Sequence, residues 1–142
     1  MTGGRHDPPG IWKPFGAFSM MALQGPGQVV HLKGQVALDE AGNIVAKDDM
    51  AGQVEQCLSN IETVLASVGG EMRDVYALTH HVTDIDAFMS TGAIRSRYFA
   101  PPFPVTTTVE VRRLFNADLL VEITASAEIP RERIRSPAAD NA

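Results

Sequence analysis

The sequence predicts an α+β fold in which two helices cover one face of a β-sheet, in the order β-β-α-β-α-β-β. Several short runs alternate apolar and polar residues, which is the pattern of half-buried strands. One longer segment repeats apolar residues every three or four positions, which is the period of one helix face. An aspartate cap before a second segment and two prolines after it predict a second helix. Two helices cannot cover both faces of a sheet of five or six strands, so we expect them on a single face.

Composition points to one globular domain and excludes several classes of protein. The chain has 142 residues, of which 44% are hydrophobic and 20% are charged. A net charge of −5 argues against nucleic-acid binding, because the chain has no obvious phosphate-neutralising patch. The single cysteine, Cys57, excludes an intrachain disulfide and a cysteine-based zinc cluster. No apolar run resembles a secretory signal or a membrane span, so we expect a cytoplasmic protein.

The distribution of glycine, proline and charge predicts three parts of the chain. Residues 1–14 are rich in glycine and proline and are expected to form a flexible N-terminal segment. Residues 15–129 form the single domain. Residues 130–142 form a polar C-terminal tail.

The first predicted strands and the first helix follow one another closely. A turn at Gly25-Pro26-Gly27 separates two extended runs, 17–23 and 28–38, and predicts a strand pair. A helix is predicted over 49–68, with an acidic cap at its start and two glycines at its end. Cys57 lies on the apolar side of this helix, so we expect it in the core.

The second half of the chain predicts three strands and one helix. Residues 74–83 form a strand and residues 87–99 form a helix that ends before Pro101. Two final strands span 105–114 and 119–129.

Alternation along these strands predicts that valines and leucines meet the helices. The opposite face is expected to carry polar side chains: His31, Lys33, Gln35, Thr79, His81, Thr83, Thr106, Thr108, Glu110, Glu122, Thr124 and Ser126. Composition leaves two interpretations of this face open. It is either exposed to solvent or buried between subunits of an oligomer.

A series of short motifs, in order, resembles a known family. The motifs are Pro14-Phe15, Lys33-Gly34-Gln35, Gln53, Asn60, Asp74-Val75, Asp84 with Phe88, Tyr98-Phe99, Val109-Glu110-Val111, Arg113-Leu114 and Val121-Glu122-Ile123 with Ala125. Together they resemble the Rid family, also called the YjgF family, of reactive-intermediate deaminases once labelled L-PSP endoribonucleases. The resemblance runs from about residue 13 to residue 128.

The resemblance implies a chorismate-mutase-like fold with a mixed sheet. It also implies a homotrimer whose sheets pack inward, with a small-molecule cleft at each subunit interface. The polar face would then be buried between subunits. The family's best-known activity is the hydrolysis of enamines or 2-imino acids to 2-keto acids and ammonia, without a metal or organic cofactor. No nucleic-acid or membrane partner is implied.

Carrying the family's site over residue by residue gives a partial match. Glu122 stands at the position of the family's glutamate and is the candidate catalytic residue that activates water. At five other cleft positions this chain has a different residue from the one usual in the family. Phe15 stands where the family has tyrosine, Lys33 where it has serine, Gly92 where it has asparagine, Thr106 where it has the deaminase arginine, and Thr108 where cysteine is common. Gly34 and His81 complete the expected substrate-binding set.

The loss of the arginine raises a specific question about Lys33. A charge-assisted hydrogen bond contributes about 1.5–3 kcal/mol, so its loss argues against efficient hydrolysis of small 2-imino acids. Lys33 could take over part of the anion binding. Alternatively, it could pair with Glu122 across the subunit interface.

Histidine and aromatic side chains add two further expectations. His80 and His81 are adjacent on a strand and point to opposite faces, so they cannot easily chelate one metal. His80 would face the helices and His81 the subunit interface. Trp12, Phe15 and Phe18 could line the cleft or fill the edge of the trimer core.

These observations predict a trimeric enamine or imine hydrolase with a rewritten interface site. The alternative is a non-catalytic trimer that binds a small carboxylate or aromatic metabolite. The acidic charge argues against a ribonuclease.

Overall fold

The computed structural model describes residues 3–137. This part of the chain contains six strands, three α-helices and one short 3-10 turn. Their bounds are β1 Gly4–His6, β2 Met21–Leu23, β3 Gln28–His31, α1 Met50–Ala66, the 3-10 turn Met72–Asp74, β4 Val75–Val82, α2 Ile85–Met89, α3 Gly92–Tyr98, β5 Val105–Glu110 and β6 Val121–Ile129.

Four of the strands form the main sheet, in the order β3-β6-β4-β5. Strand β6 is antiparallel to both β3 and β4, whereas β5 is parallel to β4, so the sheet is mixed. Helix α1 packs across β6 and contributes to the same buried cluster as the inward side chains of that strand. The predicted α+β fold, with helices on one face of a mixed sheet, is confirmed.

Helix α1 forms where the sequence predicts it. Asp49 caps its first turn by accepting a hydrogen bond of 3.1 Å from the Gly52 amide. At the other end Gly69 adopts a φ of 83°, a left-handed conformation that glycine takes without strain. Cys57 is fully buried in the core, as expected, and burial raises the pKa of its thiol to about 12.

The strands on either side of the turn at Gly25-Pro26-Gly27 do not pair with each other, so the predicted strand pair is wrong. Strand β2 pairs with β1, and β3 pairs with β6. The amides of Gly25 and Gly27 both donate to the carboxylate of Glu128, at 2.7 and 2.9 Å. These bonds hold the turn against β6 and favour separate partners for the two strands.

The N-terminal segment contains a strand that the sequence did not indicate. Residues 4–6, within the part expected to be irregular, form β1. The Arg5 guanidinium donates to the carbonyl oxygens of Val75 at 2.7 Å and Pro102 at 2.9 Å. These bonds tie β1 to the main domain.

Strand β3 is shorter than the predicted 28–38. His31 pairs with Ser126, and the chain next aligns with β6 at Gln35, which bridges to Ile123. The step from His31 to Gln35 is four residues, whereas the matching step on β6, from Ser126 to Ile123, is three. The extra residue falls in the Lys33-Gly34 stretch. The alternation of apolar and polar residues shifts there. Ala37, which unbroken alternation would put on the polar face with Lys33 and Gln35, is therefore buried.

The predicted helix 87–99 is two helices, α2 and α3. Asp84 caps α2 by accepting from the Ala87 amide at 3.0 Å. The hydroxyls of Ser90 and Thr91 donate to the carbonyls of Asp86 and Phe88, at 3.0 and 2.6 Å. Such local bonds compete with helix continuation and favour the break.

The first part of the C-terminal tail packs against the domain. The Arg133 guanidinium binds both carboxylate oxygens of Asp74, one of them at 2.9 Å, and Asp74 is only 7% exposed. Residues 138–142 of the predicted tail lie outside the described residues. No helix within residues 3–137 is long and apolar enough to cross a bilayer.

Candidate functional site

Strand β5 presents two of its three threonines, Thr106 and Thr108, to the helix side of the sheet. In the parallel register between β4 and β5, Thr106 lies beside Leu78 and Thr108 lies beside His80, both of which are buried. Glu110 follows on the same side and accepts from the first amide of α2 at 3.1 Å. The prediction that these three β5 residues share a face with Glu122 is therefore wrong.

The error arises because β5 offers no clear apolar face. Its sequence, VTTTVE, places β-branched residues on both sides of the strand, so alternation alone does not choose between them. A shift of one residue moves every side chain to the opposite face. The register beside β4 decides the matter, and it leaves Thr107 and Val109 on the side away from the helices.

The two threonines lie in a cavity between this side of the sheet, helices α2 and α3, and the segment before β2. Its volume is about 350 Å³. We call it the aromatic cavity, and its main lining side chains are Trp12, Phe15, Phe18, Leu78, His80, Phe88, Met89, Arg95, Phe99, Thr106 and Thr108. None of its described lining residues is acidic.

Three aromatic rings form the outer wall of this cavity. Trp12 stacks on Phe15 with ring centroids 5.8 Å apart, and Phe15 meets Phe18 edge to face at 5.2 Å. Trp12 is 58% exposed and Phe15 is 81% exposed. The wall is therefore an apolar surface that remains open to a ligand or to another chain.

His80 and Arg95 form the polar part of the cavity. The His80 Nδ1 atom lies 2.9 Å from the Thr108 hydroxyl, and its ring packs on Phe88 with centroids 4.7 Å apart. Burial, reinforced by the positive charge of Arg95, lowers the pKa of His80 to about 3, so the ring is neutral. The Arg95 guanidinium lies 4.3 Å from the centre of the Phe88 ring.

Sequence reasoning assigned no site role to Arg95, and it favoured packing or hydrogen bonding for His80. Arg95 lies on α3, the second of the two helices that replace the predicted single helix, and its side chain lines the cavity. A Cβ atom at Gly92 would lie 3.9 Å from the Arg95 Nη2 atom. The sequence did hold one sign of a changed site here, because glycine replaces the family's asparagine at position 92. Gly92 is one helical turn before Arg95, so both residues border the same space.

The remaining candidates lie on the open face of the main sheet, by which we mean the face turned away from the helices. Glu122 lies there beside His81, its partner in the ladder between β4 and β6. A Cβ atom at Gly34 would overlap the Glu122 carboxylate, so glycine leaves the space that this carboxylate occupies. Lys33 is exposed, and the described chain forms no ion pair between it and Glu122.

The structure thus separates the predicted site residues into two groups. Phe15, Gly92, Thr106 and Thr108 line or border the aromatic cavity, whereas Gly34, His81 and Glu122 belong to the open face. Lys33 is exposed in the irregular stretch that follows β3. The two adjacent histidines point to opposite faces, as predicted. Within residues 3–137, no three His, Cys, Asp or Glu side chains come together as a metal-binding set.

These observations define a class of small α+β protein. Its helices cover one face of a mixed sheet, and candidate residues lie on both faces. The family model described as "Endoribonuclease L-PSP" matches residues 11–129. Relatives named RutC family proteins include one from Pyrococcus horikoshii, 32% identical over 115 residues, which covers 81% of this chain and 89% of the relative. One from Saccharolobus solfataricus is 33% identical over 116 residues, covering 82% and 90%.

Solved structures lead to the same family. A Rid-family protein of unknown function from Yersinia pestis has a TM-score of 0.81 and 28% identity, covering 91% of this chain and all of that one. The YjgF gene product of E. coli has a TM-score of 0.63 and 29% identity, covering 72% and 82%. The chain belongs to the Rid family of YjgF-type proteins, which confirms the resemblance found in the sequence.

Proposed function

We propose that this protein is an enamine or imine hydrolase that works as a homotrimer in the cytoplasm. Each cleft would combine the aromatic cavity of one subunit with Glu122 from the open face of its neighbour. The observation that carries this proposal is the division of the candidate residues between two faces of one sheet. Because a sheet separates them, these groups can meet only when a second chain supplies one of them.

The chemistry needs a base that the cavity of one chain does not contain. Hydrolysis adds water to the imine carbon, transfers a proton from that water, and breaks the C–N bond to release ammonia and a carbonyl product. None of the described lining residues is acidic, and His80, with a pKa of about 3, is a poor base at neutral pH. A carboxylate such as Glu122 suits the proton transfer.

One alternative function has an observation in its favour. Without a partner's glutamate, the aromatic cavity holds an arginine, two hydroxyls and an apolar wall but no competent base. That composition suits a trimer that binds a small carboxylate or aromatic metabolite without turning it over. The two functions differ in whether Glu122 affects a reaction rate.

A coupled assay distinguishes them. An amino-acid oxidase generates 2-imino acids in place, and semicarbazide competes with the protein for the imine. We expect the wild-type protein to accelerate imine loss, and Glu122→Gln to lower the rate constant at least 100-fold. Glu62→Gln, on the exposed side of α1, is the matched control and should retain the rate. No acceleration with any imino acid would instead favour the binding trimer.

Gly34 offers a second test of the same site. Gly34→Ala places a methyl group against the carboxylate of Glu122. That carboxylate is the end of a flexible side chain, so we expect it to move and the fold to survive. The expected result is a rate at least tenfold lower with a melting temperature close to that of the wild type. A variant with an unchanged rate would argue that the carboxylate position does not matter for the reaction.

A further inference from the structure

Two buried side-chain nitrogens in the described part of the chain lack a hydrogen-bond partner, and both belong to residues lining the aromatic cavity. They are Nε2 of His80 on β4 and Nη1 of Arg95 on α3. Buried polar atoms are nearly always paired, so an unpaired one calls for an explanation. Two of them, from separate elements and on one cavity, point to a ligand that supplies the missing partner.

The charge of Arg95 specifies the sign of that ligand. Burial lowers the pKa of Arg95, yet a guanidinium remains protonated at neutral pH. Its guanidinium lies over the face of Phe88, and its buried Nη1 atom donates no hydrogen bond within the described chain. Because no described lining residue is acidic, an anion is the partner that this cation lacks.

The neutral ring of His80 can add a second donor. Its Nδ1 atom is within hydrogen-bond distance of the Thr108 hydroxyl, which can donate to it. When the hydroxyl donates, the ring's one proton lies on Nε2, the unpaired atom. An N–H group beside a guanidinium fork matches the two oxygens of a carboxylate.

The aromatic wall specifies the rest of the ligand. The rings of Trp12 and Phe15 are exposed, and together with the partly buried ring of Phe18 they line the same cavity as the polar pair. A volume of about 350 Å³ is in the range of small-molecule sites. An aromatic ring would cover this wall and stack on it, whereas a methyl group would leave it exposed.

We propose that Arg95 and His80 bind the carboxylate of an acid whose aromatic side chain packs on Trp12, Phe15 and Phe18. Arg95 then supplies, from helix α3, a cation for a cavity whose strand β5 carries Thr106 instead of arginine. The site takes aromatic acids in preference to small ones. The claim that an aromatic acid is the substrate rests on the proposed hydrolase function. Binding of such an acid can be measured without turnover.

Trp12 provides the measurement, because it is the single tryptophan of the chain. Phenyllactate, an unreactive aromatic hydroxy acid, is titrated while Trp12 fluorescence is recorded. We expect a saturable change with phenyllactate, and binding at least tenfold weaker with lactate, with 3-phenylpropane-1,2-diol and with inorganic phosphate. Phosphate binding as tight as that of phenyllactate would overturn the aromatic part of the proposal.

Variants test the polar pair. Arg95→Met should weaken phenyllactate binding about 10- to 100-fold, since it removes a charge-assisted contact. Arg97→Met, two positions along the same helix and exposed, is the matched control and should bind as the wild type does. If Arg95→Met does not fold, Arg95→Lys keeps the charge without the planar fork and should bind several-fold more weakly. Equal binding by wild type and a folded Arg95 variant would overturn the proposal.

The two proposals fail separately. Arg95-dependent binding of phenyllactate with no imine hydrolysis would leave this inference standing and remove the hydrolase. Hydrolysis that depends on Glu122 but not on Arg95, with no binding of phenyllactate, would support the hydrolase and overturn this inference.

Discussion

His80 and His81 are neighbours in sequence but differ completely in environment. His80 is 3% exposed, packed on Phe88 and close to the charge of Arg95, whereas His81 lies on the open face beside Glu122. Burial of a neutral imidazole couples the free energy of unfolding to proton binding. That coupling can be measured on His80 without any knowledge of a ligand.

Acid should destabilise the protein through His80. The pKa of this group is 6.5 in the unfolded chain and about 3 in the folded one, so between these values the unfolded chain binds the extra proton. Stability is therefore lost as pH falls through this window, by about 1.4 kcal/mol per unit, or about 2 kcal/mol from pH 6.5 to pH 5. Urea unfolding at several pH values, at one protein concentration, measures the slope.

His80→Gln should unfold with a shallower pH dependence, whatever its overall stability. A wild-type slope in the His80 variant would mean that this histidine is not held neutral in the folded chain.

The candidate site could be predicted only in part from single residues. Glu122, Phe15, Thr106 and Thr108 were identified through motifs that keep their spacing in the family. Arg95 was missed, because its approach to the cavity depends on the break between α2 and α3 and on the ring of Phe88 beneath it. Local sequence does not specify such contacts between elements.

At the scale of elements, α1 shows how polar side chains hold loops in place. Gln53 is fully buried inside the apolar stripe. Its amide accepts from the Leu120 N–H at 2.8 Å and donates to the carbonyls of Asp118 at 2.9 Å and Ala46 at 3.3 Å. One side chain therefore satisfies backbone groups before α1 and before β6.

Replacing that amide should be costly. Gln53→Met has a similar volume but leaves buried backbone groups unpaired, so we expect a loss of about 2–4 kcal/mol in the free energy of unfolding. Gln56→Met is the matched control on the same helix. Within residues 3–137 its amide bonds to the Asn60 side chain alone, and we expect a loss below about 1 kcal/mol. Equal losses in the two variants, measured by urea unfolding, would contradict this role.

Elements with one clearly apolar side were predicted well. Helix α1 and strand β6 lie close to their expected bounds, since each buries a regular series of apolar residues. Strand β5 begins at the predicted residue but ends four residues before the predicted 114, and its faces were exchanged because both carry β-branched residues. The turn between β2 and β3 is bonded to Glu128, about 100 residues away in sequence, and each strand has a separate partner; no local pattern reveals such contacts.

At the scale of the whole molecule, the main sheet has a surface that suggests assembly. Strand β5 lies at the edge of this sheet and contains neither lysine nor proline, the residues that commonly protect an exposed edge. Thr107 and Val109 are exposed on its open-face side. Packing of this face against another copy would cover these residues and would bring Glu122 towards a neighbour's aromatic cavity.

The proposed trimer can be tested by disrupting the open face. Wild-type protein should have three times the 15.3 kDa mass of one chain when measured by light scattering after size-exclusion chromatography. Thr107→Arg places a long charged side chain on a face that the trimer would bury, and burying an unpaired charge is strongly unfavourable. We expect this variant to elute as smaller species while remaining folded, because Thr107 is exposed in the single chain.

Thr63→Arg, the same change on the exposed side of α1, should stay trimeric, since the helices face outward in this assembly. A monomeric wild type, or a Thr107 variant that remains trimeric, would show that Glu122 and the aromatic cavity do not meet through this face.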